Sequence, residues 1–328
     1  MKILIIGGAG MVGQKLAALL INAGLSDQSI REVILYDVVP AQKPDAPFPI
    51  TLMQGSIDSS VEASKLADLA PDIIFHLAAI VSGEAEKNFT KGWDINARGS
   101  WWLLEALRAK HEASRGDYVP RVIFTSSIAV FGGPFPDKID DDFLSAPLTS
   151  YGAQKAMTEL LVSDYSRKGF IDGMSIRLPT ICVRPGKPNL AASSFFSGII
   201  REPLNGLEAI LPVPSDVRHW HASPKSAAGF LAHAAELDLQ RLGGRRALNM
   251  PGVSCTVEEQ IEALKDVAGA DIAKHIRSVP DEAIMSIVEN WPRNFAPEKA
   301  LSLGFTAEHD FKDIIEVYMA EDMPKQNS

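Results

Sequence analysis

Tyr151 and Lys155 stand four residues apart in the run Tyr151-Gly152-Ala153-Gln154-Lys155. On a helix that spacing puts a phenol and an ammonium one turn apart on the same face. A secondary alcohol releases a hydride only as its hydroxyl proton leaves, so oxidising one near neutral pH needs a base, whereas a free tyrosine titrates near 10. Bringing the phenol down by about 3 units takes about 4 kcal/mol of preferential stabilisation of the phenolate, which a neighbouring cation such as Lys155 supplies. Upstream, Ser126-Ser127 closes the run VIFTSS, and ligands of open α/β sheets bind outside the carboxyl ends of strands. Ser127 is expected to hold an alcohol oxygen in front of Tyr151. A Tyr-Lys pair at this spacing also arises by chance, so its weight comes from the elements around it.

Gly7-Gly8-Ala9-Gly10-Met11-Val12-Gly13 follows the apolar run KILII and precedes a helical pattern. Glycines at such a turn let the chain reverse tightly, bring its backbone up to a pyrophosphate and pack the helix on the sheet. Gly7, Gly10, Met11, Val12 and Gly13 are the expected cradle, with the helix N-terminus facing the anion. Asp37 ends the run EVILYD, where a carboxylate accepts both hydroxyls of an adenosine ribose. A 2′-phosphate there would be repelled: like charges about 4 Å apart cost about 4 kcal/mol at an effective dielectric near 20. No arginine follows within the next few residues to offset that cost. The expected cofactor is NAD rather than NADP.

Short β-branched runs such as KILII, EVILYD and VIFTSS alternate with longer helical segments through the first half of the chain. That alternation predicts an α/β protein: a Rossmann-type, doubly wound parallel sheet of six strands, with a smaller, interleaved C-terminal substrate domain. Residues 1–180 are assigned to the NAD-binding domain, to which 222–250 return, and 181–221 with 251–328 to the substrate-binding region. The 328 residues are enough for a large core with a second region beside it. A net charge of −9 opposes binding to nucleic acid or to anionic membranes. Cys182 and Cys255 form no ligand cluster, and His219 and His221 have no cysteine or acid beside them, so no metal is expected. His76, inside an apolar run, reads as a structural histidine. With no signal-peptide pattern and no long apolar span, the chain reads as cytoplasmic.

Together these residues resemble the extended short-chain dehydrogenase/reductase family, also called the NAD-dependent epimerase/dehydratase family, over nearly the whole chain. The resemblance rests on Gly7/Gly10/Gly13, Asp37, Gly55-Ser56-Ile57, His76-Leu77-Ala78-Ala79, Asn96 with Gly99, Thr125-Ser126-Ser127 with Val130-Phe131-Gly132, and Pro147 before Tyr151 and Lys155. It implies Ser127, Tyr151 and Lys155 as the catalytic group, with Tyr151 the base and Lys155 the ammonium that binds the cofactor ribose, so that both also touch the cofactor. Ser56 and Ile57 would lie by the adenine, Leu77, Ala78, Ala79 and Asn96 along the cofactor, and Pro179 and Thr180 near the nicotinamide. Ile6, Ser56 and Phe131 depart from the residues usual at those places. Leu178-Pro179-Thr180 stands where sugar-nucleotide epimerases usually carry Tyr-Phe-Asn, which disfavours a sugar nucleotide as substrate.

The stretch from Leu178 through Arg184-Pro185-Gly186-Lys187 to Gly206 is similar to family members that oxidise a four-carbon sugar acid at C2. A small carboxylate needs a fixed cation, and Arg184, Lys187, Arg201 and Arg218 lie in the expected substrate region. Arg184 and Lys187 are preferred, because they follow the nicotinamide-side strand most closely. Alternatives are a uronate or sugar dehydrogenase, an epimerase that retains its NAD, and a dinucleotide sensor without catalysis. Trp101-Trp102 beside Leu103-Leu104 predicts a helix buried on two sides. By the same resemblance that helix and the one after Tyr151 build a homodimer interface.

Overall fold

The computed structural model describes residues 1–25, 29–186 and 192–324. They form two compact units. The first comprises Met1–Val130, Pro147–Arg177 and Ala228–Asn249. It holds strands β1 (Lys2–Ile6), β2 (Glu32–Asp37), β3 (Ile50–Gln54), β4 (Ile73–His76), β5 (Arg121–Ser127) and β6 (Asp172–Leu178). Its helices are α1 (Met11–Ala23), α2 (Ser60–Asp68), α3 (Ser82–Lys87), α4 (Phe89–Gly92), α5 (Gly99–Ala113) and α6 (Ser150–Arg167).

The sheet has seven strands rather than six. Its order is Ala247–Asn249, β6, β5, β4, β1, β2, β3, with parallel pairing. Strand β3, ITLMQ, alternates between buried and more open positions as an edge strand does, which makes it fainter in the sequence than the continuous apolar centre. Ile3 to Ile6 of β1 are fully buried, as expected for a parallel strand covered on both faces. The direction of winding reverses between β1 and β4, which places the carboxyl ends of those strands at a switch point where such sheets bind ligands.

The helix expected over residues 96–110 is longer and less regular. It is led by a π-helical turn, Trp93–Arg98, before α5. Only one side of α5 is buried within the chain, through Ser100, Leu103, Leu104 and Leu107, and Trp101 is 39% exposed. The two-sided burial inferred from the tryptophan pair is therefore not met inside one chain.

The second unit comprises Phe131–Ala146, Leu178–Ala227 and the chain from Met250. Residues 131–146 were expected in the first domain. They cluster here because Ile139 bridges Phe295 and the Phe131 ring packs on Phe143 and Phe295. A three-stranded sheet ordered Val253–Thr256, Arg218–Ala222, Thr180–Ile181 lies beside a core that includes Cys182, Phe196, Ile199, Leu264 and Ile315.

Candidate active site

The glycine turn is built so that backbone, not side chain, faces outward at the end of β1. The Gly7 and Gly8 amides donate to the Tyr36 carbonyl at 2.8 and 3.0 Å, which fixes the turn against β2. A Cβ at Gly13 would lie 2.3 Å from the Gly7 carbonyl oxygen, so only glycine lets α1 start this close to the strand. No side chain caps α1 and no acid occupies its first turn. The first-turn amides at Met11, Val12 and Gly13 therefore keep the positive end of the helix available to an anion.

Asp37 closes β2 and rests on this turn, its Oδ2 accepting the Ala9 amide at 2.9 Å. The Leu77 and Ala78 amides donate to the Ile6 carbonyl at 2.8 and 2.9 Å, bringing the segment after β4 to the same edge, where Ala79 follows half-buried. Ser56 is half-buried beyond β3. Ile57, expected beside the adenine, buries its side chain in the core with Leu66, Leu103 and Leu104.

Asn96 differs from expectation. Its Oδ1 accepts the Ile80 amide at 2.9 Å, and its Nδ2 donates to the Ile80 carbonyl at 3.2 Å and to Gln154 Oε1 at 2.8 Å. Both amide hydrogens are spent inside the protein. Asn96 thus ties the loop after β4 to α6.

Helix α6 is capped by Thr149, whose Oγ1 accepts the Gly152 amide at 3.0 Å. A Cβ at Gly152 would sit 2.1 Å from the Ala129 carbonyl oxygen. Glycine at this place allows α6 to press on the turn that follows β5. Ser127, at the end of β5, is half-buried and accepts the Ala129 amide on Oγ at 3.1 Å.

Lys155 is 2% exposed. Its Nζ donates to the Thr125 carbonyl at 2.7 Å and lies 4.6 Å from the Phe124 ring centroid and 5.6 Å from that of Tyr151. Burial pushes the ammonium down to about 7, and the nearby Glu159 carboxylate opposes that shift. The same burial, with Lys155 close by, pushes His76 down to about 3. His76 is therefore neutral near pH 7, its Nε2 2.8 Å from Ser100 Oγ, and structural.

In the second unit Thr180 pairs with His221 across its short strand, and its Oγ1 lies 2.7 Å from His219 Nε2. Pro179 precedes it. Arg184 donates from Nε to the Ile181 carbonyl at 2.9 Å and from Nη2 to Ser193 Oγ at 3.1 Å. Arg201 is buried against Glu202 at 2.5 Å and donates to the Arg184 carbonyl. Arg218, expected to bind substrate, donates to the Ser254 carbonyl and pairs with Glu259 at 3.1 Å. A carboxylate of the protein already takes the charge of each of these last two guanidiniums. Lys187 lies outside the described residues.

A profile of the NAD dependent epimerase/dehydratase family matches residues 3–226. The chain belongs to that family. It is similar to the D-erythronate dehydrogenase of Cupriavidus necator, with 44% identity over 98% of both chains. Identity to the D-erythronate dehydrogenase of Haemophilus influenzae is 40%, over 98% of this chain and 100% of that one. A solved structure described as a nucleoside-diphosphate-sugar epimerase from Agrobacterium tumefaciens superposes with a TM-score of 0.94, at 53% identity over 98% of this chain and 94% of that chain.

As a member of the family the protein is an enzyme of oxidation-reduction chemistry whose cofactor is NAD. The uncapped α1 N-terminus, the cradle that a Cβ at Gly13 would fill and the Asp37 carboxylate beside it all fit that dinucleotide. Asp37 is expected to make kcat/KM for NAD exceed that for NADP by at least about a hundredfold. Asp37→Asn should narrow the gap through better use of NADP. Equal use of both cofactors by the unaltered enzyme would remove Asp37 from this role.

Proposed function

We propose that the enzyme oxidises D-erythronate at C2 to the 2-oxo-tetronate, with net formation of NADH. The observation that carries this reading is similarity along almost the full length of both chains to two D-erythronate dehydrogenases. The buried Lys155 one turn from Tyr151 supports the chemistry. Bound NAD supplies the acceptor for the hydride.

The residues of the chain manage the proton and hold the reactants. Tyr151 accepts the C2 hydroxyl proton as the C–H bond breaks. Ser127 donates a hydrogen bond that keeps the alcohol oxygen in place. The Lys155 ammonium favours the phenolate, and Asp37 accepts the ribose hydroxyls. Arg184 and Lys187 bind the carboxylate. Arg184→Ala and Lys187→Ala are each expected to raise KM for D-erythronate about tenfold or more with little change in kcat, as loss of a charged hydrogen bond does. An unchanged KM in both variants would exclude the pair.

Epimerisation is the competing reading, because one close structural relative is described as a sugar-nucleotide epimerase. An epimerase that retains its NAD makes no net NADH. Following NADH absorbance while offering four- to six-carbon aldonic and uronic acids decides between them. D-erythronate is expected to give the highest kcat/KM. No NADH from any acid, or a uronate preferred over D-erythronate, would overturn the assignment.

The enzyme is read as a cytoplasmic homodimer. No helix among the described residues is long and apolar enough to cross a membrane, and both cysteines are free and buried. Trp101 on α5 and Met157 and Leu160 on α6 are exposed apolar side chains on the two helices expected at the interface. Light scattering should give twice the chain mass, and Leu160→Glu should shift the enzyme towards monomer. A stable monomer at micromolar concentration before substitution would reject the dimer.

A further inference from the structure

One turn beyond Lys155, Glu159 is 4% exposed and carries more partners than a helix needs. Arg177 of β6 grips it side-on, with Nε at 3.0 and 3.2 Å from the two carboxylate oxygens and Nη2 at 2.8 Å from Oε2. Arg177 Nη1 in turn lies 3.3 Å from Asn249 Oδ1 on the adjoining strand. Ser126 Oγ donates to Glu159 Oε1 at 2.5 Å. Thr125, the residue before Ser126, is the one whose carbonyl accepts Lys155 Nζ. Consecutive residues of β5 therefore take consecutive turns of α6, and the height of Lys155 over the strand is set by the same contacts that hold Glu159.

Burying an ion pair is a poor way to gain stability, since well-packed apolar residues usually do as well or better. Its use here is electrostatic. Lys155 is faced by the neutral His76 from β4, by Tyr151 and Glu159 on its own helix, and by Arg177 from β6 through Glu159. While Lys155 holds its proton, two cations against one carboxylate leave a single positive charge to act on the Tyr151 phenol. Without Arg177 the carboxylate would cancel the Lys155 charge; without Glu159 the ammonium would be pressed to give up its proton to relieve two buried cations.

We propose that the Glu159–Arg177 pair is the mount of Lys155: as positioning residues, the two fix its place on β5 and the net charge that Tyr151 feels. This rests on the reading of Tyr151 as the base, so one readout needs no substrate. Ultraviolet tyrosinate titration of the substrate-free protein, taken as the difference from Tyr151→Phe, isolates the Tyr151 phenol. Arg177→Met should move that titration upward by about one pH unit. In Glu159→Gln/Arg177→Met, which again leaves one cation, it should return towards the original position.

In NADH formation the acid limb of kcat/KM belongs to the Tyr151–Lys155 pair as a whole. It should move about one unit down in Glu159→Gln and about one unit up in Arg177→Met. Opposite directions are what a merely structural role would not produce. Identical Tyr151 titrations in the original, the single Arg177 variant and the double variant would overturn the proposal. If Glu159→Gln fails to fold, the Arg177→Met titration set against that of the double variant still decides it. Shifted tyrosinate titrations in an enzyme that forms no NADH from any acid would uphold the mount while refuting the substrate assignment.

Discussion

Tyr151→Phe should lower kcat for D-erythronate by about a thousandfold while leaving the Kd for NAD within about twofold. Removing a positioned general base typically costs about 10² to 10⁴ in rate. The substitution deletes one oxygen and keeps the ring that lies 5.6 Å from Lys155 Nζ, so the packing of α6 on β5 is retained. The glycine turn, α1 and Asp37 contain no atom of Tyr151, and cofactor affinity built on them should persist. Stopped assays for NADH with fluorescence titration of NAD separate the two quantities. Near-normal turnover would remove Tyr151 from the chemistry, and loss of NAD binding would mean that the phenol holds the cofactor rather than the proton.

Lys155→Met should abolish most turnover and at the same time make the protein more stable near neutral pH. The ammonium is pushed from 10.5 to about 7 by burial. For a lysine lowered in the folded state, the cost of folding is fully present below about pH 7, where the buried group must carry its proton. Between about 7 and 10.5 the unfolded chain holds a proton that the folded chain has lost, so stability rises with pH. Above about 10.5 the cost is gone. At about 1.36 kcal/mol per unit the displacement corresponds to about 5 kcal/mol at low pH. Methionine leaves the Thr125 carbonyl without its donor, which returns about 1–3 kcal/mol of that gain. The expected outcome is a higher thermal midpoint at pH 6–7 that converges on the unaltered enzyme towards pH 10–11. A lower midpoint at pH 6 would show that the Lys155 contacts contribute more than its burial costs.

Most of the frame is legible in the residues because each piece has a local cause. The glycine turn needs its glycines whatever surrounds it, and the apolar runs of β1, β2 and β5 are continuous because both faces of a parallel strand are covered. The Tyr151–Lys155 spacing follows from helix geometry alone. Strand β3 is faint because an edge strand mixes buried and open positions. Residues 131–146 join the second unit through aromatic contacts with Phe295, far along the chain, and no local pattern announces such a contact.

The site shows the same division. Asn96 matches a position of the family, yet whether its amide faces a ligand or the protein depends on Ile80 and Gln154, which only folding brings to it. Arg218 and Arg201 have the right charge, but Glu259 and Glu202 meet them first. Gly152, Glu159 and Arg177 are the residues that local reasoning passed over. Two of them left a trace: a carboxylate four residues after Lys155 on one helix face, and an arginine between Ile176 and Leu178 at the end of β6, which calls for a counter-charge.

The most direct measurement is single turnover with D-erythronate carrying deuterium at C2. If Tyr151 takes the hydroxyl proton while the C2 hydride leaves for NAD, the deuterium must appear at the nicotinamide of the reduced cofactor and the organic product must be the 2-oxo acid. Unlabelled NADH with deuterium kept in the product would contradict oxidation at C2, and deuterium returned to C2 with its configuration inverted, without accumulating NADH, would mark an epimerase.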